Sequence, residues 1–218
     1  MKSMKLAMMV EDFELYPRDN VSAMHVSEIV TAIENGADLP ALIIDEKSKR
    51  IVDGFHRRRA LIRVHGEGHS IDVVAKRYKS EADLFLDACR YNAHHGLRLD
   101  THDKTTALVK GEKLGLSQEL IAGALIMTVD KAAHLTISRT AKSNGHLVPL
   151  KRTIRHMAGA KISNDQIKAN AKLSGMNQSF YVNQIITLIE ADLLDTSDAV
   201  LMDRLETLRK MLDKLPVV

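Results

Sequence analysis

Aromatic residues make up only 4% of this 218-residue chain, Trp is absent, and there is a single Cys. One thiol excludes an internal disulfide and a thiolate zinc site, and it suits a reducing cytoplasm. Cys89 lies in the apolar helical run LFLDACRY, which favours a small core residue over a nucleophile. Long apolar runs are also missing. The N-terminal LAMMV is too short for a signal-peptide core or a membrane span, and Glu11-Asp12 follow at once. The expectation is a soluble cytoplasmic protein with no membrane partner and no structural metal. The net charge of +3 is mild, so affinity for nucleic acid must come from local clustering.

Ala, Leu, Ile and Met dominate what is present, which favours a largely helical protein with ample material for a core. The most informative stretch is Arg50–Val64, RIVDGFHRRRALIRV. Ile51-Val52 predict a short buried strand, Asp53-Gly54 a tight turn, and Ala60, Leu61 and Val64 a helix from about His56. His56, Arg57, Arg58 and Arg59 fall in that helix's first turn. Cations there oppose the helix dipole, an arrangement that makes sense if an anion such as a phosphate binds at the same place. A solvated basic face accounts for the charge equally well.

DGFHRRRA resembles the phosphate-binding motif of the ParB/sulfiredoxin superfamily, through Gly54, His56, Arg57, Arg59 and Ala60. Phe55 stands where ParB has a Glu and sulfiredoxin a catalytic Cys, so neither activity follows, and a weak CTPase is left open. YPRDNV, AIENG and LPALII are similar to the segments preceding that motif in the ParB-like N-terminal fold. The resemblance adds Arg18 as a phosphate contact, although a surface Arg after Pro17 fits the residues alone. NAHHGLRL resembles the second phosphate box in the form found in ParB-like transcription regulators, and it implies Asn92 and His95 as the far wall. Read without the family, the same histidines suit a helix C-terminus capped by Gly96. The implied ligand is CTP, or another nucleoside triphosphate, with Mg²⁺ held mainly through its phosphates.

Along the chain, the patterns predict a strand at residues 8–16, a helix over His25–Asn35, strands at Pro40–Asp45 and Ile71–Tyr78, and a helix from Ser80 or Glu81. A helix over Asp103–Leu114 follows. Ser117 then caps a short helix with Ile121, Ala122 and Leu125 inward, and a second helix starts near Val129 with Ala132 and Leu135 inward. That is a helix-turn-helix pattern, similar in layout to the ParB DNA-binding domain, although Ile126 holds the turn position where Gly is frequent. A simple helical hairpin is the alternative. No Asp or Glu occurs between Asp130 and Asp165, a basic tract that suits phosphate-backbone contact. Lys131, His134, Thr136, Ser138, Arg139, Lys142, Lys151, Arg152 and Arg155 are the expected contacts to double-stranded DNA. Ser143-Asn144-Gly145 reads as a loop and Leu150–Met157 as a basic helix. Leu201, Leu205, Leu208, Leu212 and Leu215 form a short a/d seam that suits core packing or a homodimer contact.

The expected fold class is α+β, in three parts: a ParB/sulfiredoxin-like nucleotide-binding α/β domain over 1–100, an all-α helix-turn-helix domain over 101–145, and a helical region over 146–218. The function implied is a nucleotide-switched, sequence-specific DNA-binding protein of replicon partition or transcription regulation. The alternative is an enzyme of the same superfamily, a small-substrate kinase or a nuclease, for which Glu34 and Asp53 are the nearby carboxylates.

Overall fold

The computed structural model describes residues 2–94 and 97–216, so His95 lies outside the described residues. The elements in order are β1 (Lys2–Lys5), a 3-10 turn (Leu6–Met8), α1 (Ala23–Glu34), β2 (Leu42–Asp45), β3 (Ile51–Asp53), α2 (Phe55–His65), β4 (Ser70–Lys76), α3 (Glu81–His94) and α4 (Thr101–Lys113). There follow α5 (Gln118–Ala124), α6 (Val129–Arg139), β5 (Thr140–Ser143), β6 (His146–Pro149), a second 3-10 segment (Arg152–Met157), α7 (Asn164–Lys172), α8 (Gln178–Glu190) and α9 (Ala199–Leu212). The chain is α+β. It divides into two compact units, Met1–Ser174 and Gly175–Val218. The expected boundaries at 100 and 145 both fall inside the first unit.

Four strands form a mixed sheet in the order β1-β4-β2-β3, with β2 and β4 parallel and the outer pairs antiparallel. Alternation along β3 serves both faces. Ile51 joins a core with Met4, Leu6, Tyr16, Leu42, Phe55 and Val73, whereas Val52 points into a core with Leu84, Phe85, Cys89, Leu108, Ile121, Leu125 and Leu135. The second core runs without a break from β3 through α3 and α4 to α5 and α6. Cys89 is sealed within it, and burial pushes its thiol pKa up.

Two expectations from the sequence are corrected. Residues 8–16 form no strand; only Val10 pairs, as a single bridge to Arg50. Glu11 and Asp12 are drawn to arginines on α2 and beside β3, which bends the segment away from extended form. Beyond α6, residues 140–149 are a β-hairpin, and the expected helix over 150–157 is a 3-10 segment broken at Ile154 (φ −115°). The turn between α5 and α6 is not lengthened. Ile126 itself takes the left-handed conformation (φ 52°), and the Met127 and Ile126 N–H groups close back on the Ala122 and Gly123 carbonyls. This is the helix-ending motif in which Gly is usual, so a β-branched residue holds it under strain.

Lys110 and His102 fasten the irregular segment 13–19 to α4. The Lys110 ammonium donates to the carbonyls of Phe13 (2.7 Å), Tyr16 (2.9 Å) and Arg18 (3.4 Å), and burial lowers its pKa. His102 Nε2 meets Asp19 Oδ2 at 2.7 Å. Burial alone would depress the imidazole pKa, but the hydrogen bond and charge of Asp19 prevail and raise it.

Gly111 lets α4 approach its neighbours. A Cβ there would stand 2.5 Å from Ile121 Cδ1 and 3.2 Å from Phe85 Cε1. Gly111→Ala should therefore lower the unfolding free energy by about 1–3 kcal/mol through overpacking. Adding Ile121→Val, which removes the nearer methyl, should recover part of the loss. Urea titrations of the two single variants and the double variant check this, and simple additivity would refute the clash.

Candidate functional site

A cleft of about 620 Å³ opens beside the start of α2, lined among others by Tyr16, Arg18, Pro40, Asp53, Gly54, His56, Arg57, Tyr91 and Asn92. Gly54 shapes it. Its φ of 111° is a left-handed value, and a Cβ would lie 2.7 Å from Leu42 Cγ, so only Gly lets the α2 start lie against β2. No side chain caps α2, which leaves its first-turn N–H groups without a side-chain acceptor.

Five of the seven expected nucleotide-site residues line this cleft: Gly54, His56, Arg57, Arg18 and Asn92. Their partners decide what each can do. Arg57 donates to the carbonyls of Pro40 (2.6 Å) and Ala41 (3.3 Å) and pairs with Asp53 (2.8 Å). Arg18 is 6% exposed. Its Nη1 reaches Asp103 at 2.6 Å, its Nη2 donates to the Leu97 carbonyl, and its buried Nε has no hydrogen-bond partner among the described residues. Asn92 donates within α3 to Ala88. His56 is not a cation. Its Nε2 accepts from the Ser22 N–H at 3.0 Å, and burial, followed by the nearby His25 and Arg18, lowers its pKa to about 4. Arg59 lies outside the cleft lining, where it shares the Glu11 carboxylate with Arg58. Phe55 is buried and stacks on Tyr16 with ring centroids 4.0 Å apart, so at this position the chain has core. Asp103, which binds Arg18 and completes the capping box of α4, is the participant that sequence reasoning missed. Its signal was the Asp100-x-x-Asp103 spacing.

Of the carboxylates considered for catalysis, Asp53 is held by Arg57 and Glu34 is exposed outside the cleft lining. His65 and His69, four apart around Glu67, have a metal-like spacing. Their rings stack at 4.5 Å, and among the described residues no three His, Cys, Asp or Glu gather to hold a metal ion. Among the described residues, no single helix is long and apolar enough to cross a membrane.

The basic region lies elsewhere. Helices α5 and α6 meet at 104°. The exposed side of α6 carries Asp130, Lys131, His134 and Ile137, whereas Thr136 bonds back to Ala132 and the Ser138 hydroxyl is buried without a partner. The Leu150 N–H donates to the Arg139 carbonyl at 2.7 Å, which sets the segment carrying Arg152 and Arg155 beside the end of α6. Burial, then the charges of Arg155 and Arg152, depress the Arg139 pKa against the smaller opposing charge of Asp100. No ion pair among the described residues involves these three, or Lys131, Lys142 or Lys161. Lys151 is different, because its ammonium donates to the Ala171 and Leu173 carbonyls and so closes the end of α7.

No family model matches the chain. Among curated proteins it is similar to a possible regulatory protein of the streptomycin biosynthesis operon of Streptomyces griseus, 33% identical over 87 residues, 39% of this chain and 23% of that protein. It is also similar to the transcriptional regulator NovG of Streptomyces niveus, 32% identical over 130 residues, 59% of this chain and 39% of that protein. The chain thus spans well under half the length of these relatives. Among solved structures it is similar to the chromosome-partitioning protein ParB of Caulobacter crescentus bound to its centromeric parS site, with a TM-score of 0.44 at 14% identity, covering 62% of this chain and 70% of that one. The same protein with CTP-gamma-S matches with a TM-score of 0.37 at 15% identity, covering 62% and 75%.

His56 has a folded pKa of about 4 against an ordinary value of 6.5. Between those values the folded chain binds fewer protons there than the unfolded chain, so this group makes stability fall as pH falls from about 6.5 to about 4. In His56→Gln, whose amide oxygen can still accept from Ser22, denaturation midpoints should decline less steeply over that interval. Equal slopes would show that the imidazole titrates normally in the folded chain.

Proposed function

We propose that the chain is a ParB-like DNA-binding regulator in which α5 and α6 form a helix-turn-helix and the cleft beside α2 takes the phosphates of a nucleotide. The observation that carries the DNA half is the arginine cluster. The guanidinium groups of Arg139, Arg152 and Arg155 stand together with no carboxylate at ion-pair distance among the described residues, next to two helices whose 104° angle lies in the range of a helix-turn-helix. Like charges held together without partners favour a polyanion outside the chain. Both curated relatives are described as regulators, possible in one case, which supports transcription regulation over partition.

The nucleotide half is supported by fit. The cleft volume lies within the usual range for small-molecule sites, roughly 300–1,000 Å³. Its anion-seeking groups are the uncapped α2 start and the unpartnered, buried Arg18 Nε, with Arg57 at the rim. The motif likeness selects CTP, and Mg²⁺ would arrive on the triphosphate. The ligand supplies charge rather than a reaction here, because Asp53 is neutralised and Phe55 is apolar. A ligand alters DNA binding only through unequal affinity for two conformations. Arg18, shared between the cleft and Asp103 on α4, is the residue positioned to transmit that difference. A homodimer completes the reading, since helix-turn-helix proteins pair to contact two half-sites.

Arg57→Gln should weaken CTP binding at least tenfold in calorimetry while leaving the thermal unfolding midpoint within a few degrees. Unchanged affinity would remove the nucleotide site. Separately, Arg139→Gln with Arg152→Gln should lower the dependence of log affinity on log salt by about 1.8, since each lost phosphate contact removes about 0.9. An unaltered slope would place the DNA face elsewhere.

A further inference from the structure

The hairpin that follows α6 has no place in the reading above. No linker separates the two: Arg139 ends the helix, Thr140 opens β5, and the Thr140 hydroxyl donates to the Thr136 carbonyl at 2.6 Å. The strands pair in register from Thr140–Pro149 to Ser143–His146. Their turn residues, Asn144 (φ 49°) and Gly145 (φ 82°), are both left-handed, as a type I′ turn requires. Ala141, Leu150 and Ile162 are buried against the hairpin base. The Lys142 N–H and C=O bond to Ala160 and Ile162, which brings Lys161 alongside as a third short rung. The hairpin is therefore a stiff element set at the end of α6, with β6 packed against α4 and β5 carrying the exposed Lys142.

Its charges are unusual. Lys142 and Lys161 are bridge partners, so their side chains share one face, and both are exposed. Like charges directly across a ladder are destabilising, and among the described residues neither lysine forms an ion pair. The sequence offers no Asp or Glu between Asp130 and Asp165 to relieve them. An anion outside the chain removes the conflict. Continuity with α6 and the arginine cluster makes that anion duplex DNA rather than an acidic peptide, since one cationic strip then follows one backbone. Four strand residues at about 3.3 Å each reach about 13 Å, enough to cross a minor groove roughly 6 Å wide.

We propose that the β5–β6 hairpin is a second DNA contact, a wing that lays Lys142 and Lys161 on phosphates flanking the segment faced by α6. This rests on the helix-turn-helix reading. The test uses the full chain and a duplex selected from a random-core library, with binding followed by fluorescence anisotropy over a salt series. Lys142→Gln with Lys161→Gln should lower the salt slope by about 1.8. Trimming about five base pairs from one flank should weaken wild-type binding and leave the variant unaffected. The variant's urea midpoint should equal or exceed that of the wild type, because repulsion has been removed. An unchanged slope, equal sensitivity to trimming, or a lower midpoint would each overturn the wing while leaving the helix-turn-helix intact. Failure of the wild type to select any duplex would overturn both.

Discussion

The Lys110 ammonium, buried against three main-chain carbonyls, is the constraint on which the arrangement of the first unit depends. Residues 13–18 have no regular structure of their own, and their carbonyls would be orphaned without it. They carry Tyr16 into the stack with Phe55 and Arg18 into the cleft. Because Lys110 belongs to α4, the cleft is built on the same helix that packs against α5 and α6. The cleft and the α5–α6 pair thus share a frame rather than merely a chain.

The arginines divide into two kinds by what surrounds them. In the N-terminal part Arg57, Arg58 and Arg59 are matched by Asp53 and Glu11, so a run that looks strongly cationic in sequence is locally close to neutral. Around the end of α6, Arg139, Arg152 and Arg155 have no ion-paired carboxylate among the described residues. Local charge density in a sequence does not separate these cases. The matching carboxylates come from up to 48 residues away, and only the fold brings them in.

The strand–turn–helix around Gly54 was legible because each of its signals is local: β-branched residues, Asp-Gly, then helical periodicity. The α5–α6 pair was legible for the same reason, with Ser117 and Thr128 at the caps. Residues 8–16 were not, since an apolar run with two acids can extend or bend, and distant arginines determine which. The hairpin was missed because Thr140–Ser143 is short and small in side chain, although Asn144-Gly145 is a strong turn pair. Arg18 entered through family likeness, whereas for Asp103 the only local signal is the Asp100-x-x-Asp103 capping spacing, and its pairing with Arg18 across 85 residues comes from the fold.

Cys89 offers a further consequence. Its sulfur sits on α3 in the core that joins the sheet to α5 and α6, and burial disfavours the thiolate. A maleimide or disulfide reagent can reach it only when that core opens. As the sole thiol, it gives each molecule a single built-in stopwatch for that opening, without any engineered label.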